Sequence, residues 1–189
     1  MASATLGRAD RSLAVVLFVV SGFAALVYQV LWVREVGLLV GSTAQAAALT
    51  IAIFFSGIAL GSWWWGRRVR RARRPLLWFG LVELAVAASA LGLFALVPLY
   101  DLVAPPLDAS ASARLAAQGL VAAVTLLPAS FFMGGTLPLM TEHLVRLREH
   151  LGRRASMLYA VNTAGSAAGA LAAGFVLPLA LGFRSAYLL

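Results

Sequence analysis

The sequence predicts an all-α, polytopic membrane helix bundle, on three observations. Of its 189 residues, 62% are hydrophobic and 12% charged, against roughly 45–50% and 25% in an ordinary soluble domain. It holds five runs, free or nearly free of charge, of the length that crosses a bilayer, which takes about 20 predominantly apolar residues. Its basic residues, all fifteen of them arginine, fall between those runs in alternation. In a soluble chain a formal charge of +8 would point to nucleic acid, but this composition argues against that partner. With no cysteine, a disulfide framework, a thiolate metal site and a thiol nucleophile are excluded.

The expected spans are 12–33, 43–65, 76–99, 115–141 and 156–177, within a single transmembrane domain over 1–189 and with no soluble domain. The first lies in a charge-free run of 22 residues, too long for a secretory signal core. Its end, LWVREVG, offers no small-x-small cleavage site, so it reads as retained. Gly41-Ser42-Thr43 cuts off the second span. The third is interrupted once, by Glu83. The fourth carries Pro128, Gly134, Gly135 and Pro138, which free backbone groups and permit a kink or a break. Such interrupted helices can mark a mid-membrane binding site in transporters, or simply bend around a neighbour. The fifth ends near Pro178. A sixth begins at about 185, and its five residues are too few to cross. The chain therefore reads as a piece of a longer protein or as a truncation completed by a partner.

Orientation follows from the arginines. Arg8 and Arg11 precede the first span, and Arg67, Arg68, Arg70, Arg71, Arg73 and Arg74 form a basic loop between the second and third. Arg146, Arg148, Arg153 and Arg154 lie between the fourth and fifth. Twelve thus share one side, and Arg34, Arg114 and Arg184 lie on the other. The split predicts a cytoplasmic N-terminus, with anionic lipid headgroups as the counterpart of the basic loop. Trp63, Trp64 and Trp65 stand just before that loop, as an interfacial anchor or as a platform for a cation or base. Leu144, Leu147 and Leu151, with Glu142/Arg146 and Glu149/Arg153 at i,i+4, read as a helix lying on the membrane surface. His143 and His150, with no nearby Cys or Asp, make a poor metal site.

Ionisable groups inside a span must face protein or water. Glu83 lies roughly 12 Å from the cytoplasmic end, at about 1.5 Å per residue. Asn162 enters from the same side to a similar depth. The two are expected to share a hydrogen bond or a polar pocket with Tyr159 and Thr163, either as a neutral carboxyl joining helices or as a substrate or proton site. A second, outward-facing set is expected from Tyr28, Gln29, Gln45 and Gln118, with Arg34 and Glu35 nearby; interhelical hydrogen bonding also accounts for it. The candidate substrate-binding residues are Glu83, Asn162, Tyr159, Tyr28 and Gln29. Gly57 with Gly61, and Gly165 with Gly169, form small-xxx-small pairs for close helix packing.

The stretches SGFAALVYQVLWVREVGLLVGST, FFSGIALGSWWWGRR, ELAVAASAL around Glu83, LLPASFFMGGTLPLM and LYAVNTAGSAAGALAAGFVLPLALGFRSAYLL resemble, in order and over nearly the whole chain, the membrane region of bacterial spermidine-synthase-like (aminopropyltransferase) fusion proteins. That region resembles a six-helix half of a major-facilitator transporter. Within the resemblance, Tyr28, Gln29, Trp32, Arg34, Glu83, Pro128, Met133, Gly134, Pro138, Tyr159, Asn162 and Gly165 match recurring positions. The family's catalytic half would add a nucleotide-binding αβ fold, and the sequence contains no such unit. The resemblance implies a module that anchors or passes a polyamine-type substrate to a catalytic partner or missing domain.

No Ser-His-Asp set, phosphate loop or zinc spacing occurs, so an enzyme and a bound cofactor are not expected from this chain alone. Two other readings fit the same features: a transporter-like half that dimerises with a second copy, and a structural accessory subunit packed among other membrane subunits.

Overall fold

The computed structural model describes residues 8–106, 110–145 and 151–188. Among these the chain is all-helical. Two long helices, α1 (Arg8–Val40) and α2 (Thr43–Arg68), are joined by a tight turn in which Gly41 takes φ +76°, a left-handed value suited to glycine. Ser42 is extended, and α2 starts at Thr43 as the sequence predicts. A 3₁₀ segment, Val69–Arg71, leads to α3 (Pro75–Ala90), which begins with proline at its first position, where the missing N–H costs nothing. There follow α4 (Leu96–Val103), α5 (Ala111–Val145), α6 (Leu151–Phe175) and two short helices, α7 (Leu177–Leu181) and α8 (Phe183–Tyr187).

Large apolar side chains lie outside as well as inside: Val20 is 57% exposed, Leu84 68% and Leu120 64%, while Phe18, Leu31 and Trp32 are buried. A helix apolar all round belongs in a large core or a membrane. Four stretches are long and apolar enough to cross one: Ser12–Val40, Ala44–Arg71, Pro75–Val103 and Ala111–Leu144. The fifth expected span corresponds to α6, which is 25 residues long but is not among the four. It is built largely of Ala, Gly and Ser with Asn162 and Thr163, so it has the length but is less apolar than the other four. The third span narrows into a 3₁₀ turn at Leu91–Ala95 before α4 resumes it. The proposed surface helix over 142–151 includes residues 146–150, which lie outside the described residues.

The most extensive interfaces are α2 with α5 and α1 with α6. Both depend on the glycine pairs. A carbon added at Gly57 would strike Ser130, and one added at Gly61 would strike the Phe131 carbonyl of α5. At Gly165 and Gly169 it would strike the Val19 and Phe23 carbonyls of α1. The fourth span does not break at its prolines: α5 runs unbroken for 35 residues through Pro128 and Pro138. Pro138 cannot donate to the carbonyl of Gly134, four residues earlier. Ser62 Oγ of α2 donates to that oxygen instead, at 2.9 Å. Gly134 thus lets α2 approach closely enough for a neighbour to supply the hydrogen bond that proline removes.

Gly61→Leu is expected to cost at least about 1–3 kcal/mol through overpacking, read as a lower unfolding midpoint in detergent. Gly66→Leu, at a position with nothing within 4 Å of the added carbon, should not lower it.

Candidate functional site

Glu83 is placed by the packing of α3. Phe79, Val82, Val86 and Ala90 are buried at helical spacing, while Leu77, Leu81 and Leu84 point outward. Glu83 lies between these faces, half-buried. Its Oε1 accepts a hydrogen bond from Ser21 Oγ of α1 at 2.5 Å. Below that bond, Phe18 of α1 meets Phe79 of α3 edge to face, with centroids 6.4 Å apart.

Asn162 reaches the same region from α6 by another route. It packs directly onto Gly22 of α1, where an added carbon would lie 2.6 Å from Asn162 Oδ1. One turn on, Ser166 Oγ donates to the Gly22 carbonyl at 3.1 Å. Asn162 and Glu83 therefore flank neighbouring α1 residues, Gly22 and Ser21. Thr163 Oγ1 donates to the Tyr159 carbonyl at 2.8 Å, within α6.

These side chains share one cavity of about 510 Å³, whose lining includes Glu83, Ser21, Asn162, Tyr159, Thr163 and Ser166. Its walls are otherwise apolar and aromatic, with Phe18, Phe54, Phe55 and Met133. Tyr159 is 63% exposed, so the α6 side of the cavity is open. The volume falls within the roughly 300–1,000 Å³ usual for small-molecule sites.

The second polar set does not hold together. Tyr28 and Gln29 line the Glu83 cavity. Gln45 and Gln118 line a separate depression with Arg114, and Gln118 Nε2 donates to the Leu39 carbonyl at 2.8 Å. Depth counting put these four residues together, but their directions around the helix axes divide them. Arg34 caps the ring of Phe183, 4.1 Å from its centroid. At the other end of the bundle, Arg67 and Arg68 lie over the rings of Trp63 and Trp64, at 4.2 and 3.9 Å.

Sequence reading missed Ser21, Gly22 and Tyr187. Ser21 had a usable signal, since it is a hydroxyl at about the depth of Glu83. Tyr187, from α8, is buried and accepts from Trp32 Nε1 at 2.9 Å while donating to the Ala90 carbonyl. That carbonyl lies where α3 gives way to the 3₁₀ turn. Among the described residues no group of three or more His, Cys, Asp or Glu could hold a metal. Comparison with protein-family models, with characterised proteins and with solved structures yields no match.

The natural absence of cysteine makes single-cysteine labelling direct. A cysteine at Thr163 or Ser166 should react with a small water-soluble thiosulfonate reagent, because the reactive thiolate forms where water reaches. One at Leu84, on the outward face beside Glu83, should stay essentially unlabelled in membranes. Equal rates at the three positions would remove the distinction between cavity and lipid face.

Proposed function

We propose that this chain is the membrane module of a spermidine-synthase-like system, a five-span inner-membrane bundle with a cytoplasmic N-terminus that resembles a major-facilitator half. It binds a polyamine-type cation at Glu83 and passes it to a catalytic partner or domain. The observation that carries this reading is a carboxylate opening into a cavity of about 510 Å³ otherwise walled by aromatic and apolar side chains. A cation leaving water needs a counter-charge, and Phe18, Phe54 and Tyr28 are among the lining residues, of the aromatic kind that favours ammonium groups. Ser21 orients the carboxylate, and Asn162 and Gln29 supply further polar contacts around it.

The exposed mouth at Tyr159 favours a second version, in which a second copy closes the cavity to form a complete pathway. An accessory subunit, by contrast, would bury its apolar faces against other chains and would have no use for a carboxylate-lined cavity.

The test is spermidine binding or flux with the purified chain in liposomes. Glu83→Gln is expected to reduce it by about tenfold to a hundredfold, since a charge-assisted hydrogen bond contributes about 1.5–3 kcal/mol. Unchanged binding and flux would remove the central residue from both versions.

A further inference from the structure

A second concave site lies at the end of the bundle that carries the basic loop. It is a groove of about 210 Å³ between the end of α2, the 3₁₀ segment and the start of α3, lined by Trp64, Trp65, Trp78, Arg68, Arg71 and Leu139. Three indoles form its walls: Trp64 meets Trp65 with centroids 4.8 Å apart, and Trp65 meets Trp78 at 6.0 Å. Arg68 is held in place over the Trp64 ring at 3.9 Å, with its Nη1 donating to the Trp64 carbonyl at 3.3 Å. Arg68 and Arg71 both line the groove and are exposed. From Arg67 to Arg74 the sequence has six arginines and no carboxylate.

An apolar, indole-walled groove rimmed by two guanidinium groups complements an amphiphile with an anionic head and a hydrocarbon body. We propose that this groove binds one acidic phospholipid, its phosphate held by Arg68 and Arg71 and the upper part of an acyl chain lying against Trp65 and Trp78. The chemistry on each side matches: guanidinium forks suit phosphate oxygens, and indoles belong at the depth where head and chain meet. Three features distinguish this site from general attraction of a basic loop to a negative surface: a defined concavity, a stacked Arg68 and an apolar wall. The proposal rests on the chain being a membrane protein and is independent of the reading of Glu83.

The test is native mass spectrometry of the full chain released from micelles containing phosphatidylglycerol or phosphatidylcholine. Retention of one phosphatidylglycerol is expected, and little phosphatidylcholine. The pair Arg68→Gln with Arg71→Gln should weaken retention about twenty-five-fold, at about fivefold per arginine near a membrane surface. The charge-matched pair Arg67→Gln with Arg74→Gln should leave it within about twofold, because those residues do not line the groove. Trp78→Ala should weaken it without changing charge. Should the double variant fail to fold, Arg71→Gln alone, at an exposed position, carries the same comparison at about fivefold. Equal losses in the two arginine pairs would mean diffuse attraction and overturn the site, as would equal retention of phosphatidylcholine or full retention in the Arg68/Arg71 variants.

Discussion

Backbone-to-backbone contact at glycine is the constraint on which the rest of this bundle depends. In lipid, apolar side chains gain little by leaving the solvent, so helices associate by close packing and by hydrogen bonds that close approach makes available. Here α2 meets α5 at Gly57, Gly61 and Gly134, and α1 meets α6 at Gly22, Gly165 and Gly169. Each contact brings a carbonyl within reach of a hydroxyl on the facing helix: Ser62 to Gly134, and Ser166 to Gly22. Tight packing and polar satisfaction are thus one event at each interface. The same closeness makes prolines tolerable within α5, since the carbonyl that Pro138 frees is met from across the interface.

The two tight pairs also decide where space is left. The α1–α6 and α2–α5 interfaces leave no room for a ligand, whereas α5 and α6 touch each other far less. The buried apolar residues fall into two clusters, one containing Phe18, Phe79 and Leu139 and the other Phe54, Val86 and Met133. The cavity is lined from both: Phe18 comes from the first cluster, and Phe54, Val86 and Met133 from the second. Packing is dense on either side, and the polar residues of α1, α3 and α6 face the gap between.

How much of this could be read from sequence divides along a physical line. Position along each helix axis is legible, because each helical residue advances about 1.5 Å and charges mark the ends. The turn at Gly41, four of the spans, the glycine pairs and the matching depths of Glu83 and Asn162 all follow from that measure. Direction around each helix axis is not legible, because a helix apolar on every side has no polar face to show which way it points. Hence matching depth groups Tyr28 and Gln29 with Gln45 and Gln118 as readily as with the candidate substrate residues, and the structure turns them to the Glu83 cavity; the direction of Ser21 is hidden in the same way. The unbroken α5 was hidden for a related reason: only the neighbour that supplies Ser62 reveals that Pro138 does no harm. Freedom from charge and apolarity are also different properties: α6 is charge-free from Ala155 onward, but Asn162, Thr163 and its many small residues make it less apolar than the other long helices.

The two polar clusters, one around Tyr187 and one around Glu83, differ in a way that bears on their roles. The Trp32–Tyr187–Ala90 chain is closed: the indole donates to the phenol oxygen and the phenol donates to the carbonyl. With both of its donors used, this network fixes the end of α3 and the position of α8. Glu83 is the opposite case. A carboxylate has about four acceptor positions, and among the described residues Ser21 is the one side chain that donates to it. Placing a charge at the centre of a span costs about 2.5–3.5 kcal/mol on insertion scales, and a single hydrogen bond to a charged group returns about 1.5–3 kcal/mol. A purely structural glutamate would be expected to gather more donors, as Tyr187 uses its hydroxyl both to donate and to accept. The unfilled acceptors of Glu83 border the cavity, where water or a cation can complete them, and this asymmetry supports a binding role over a role as helix glue.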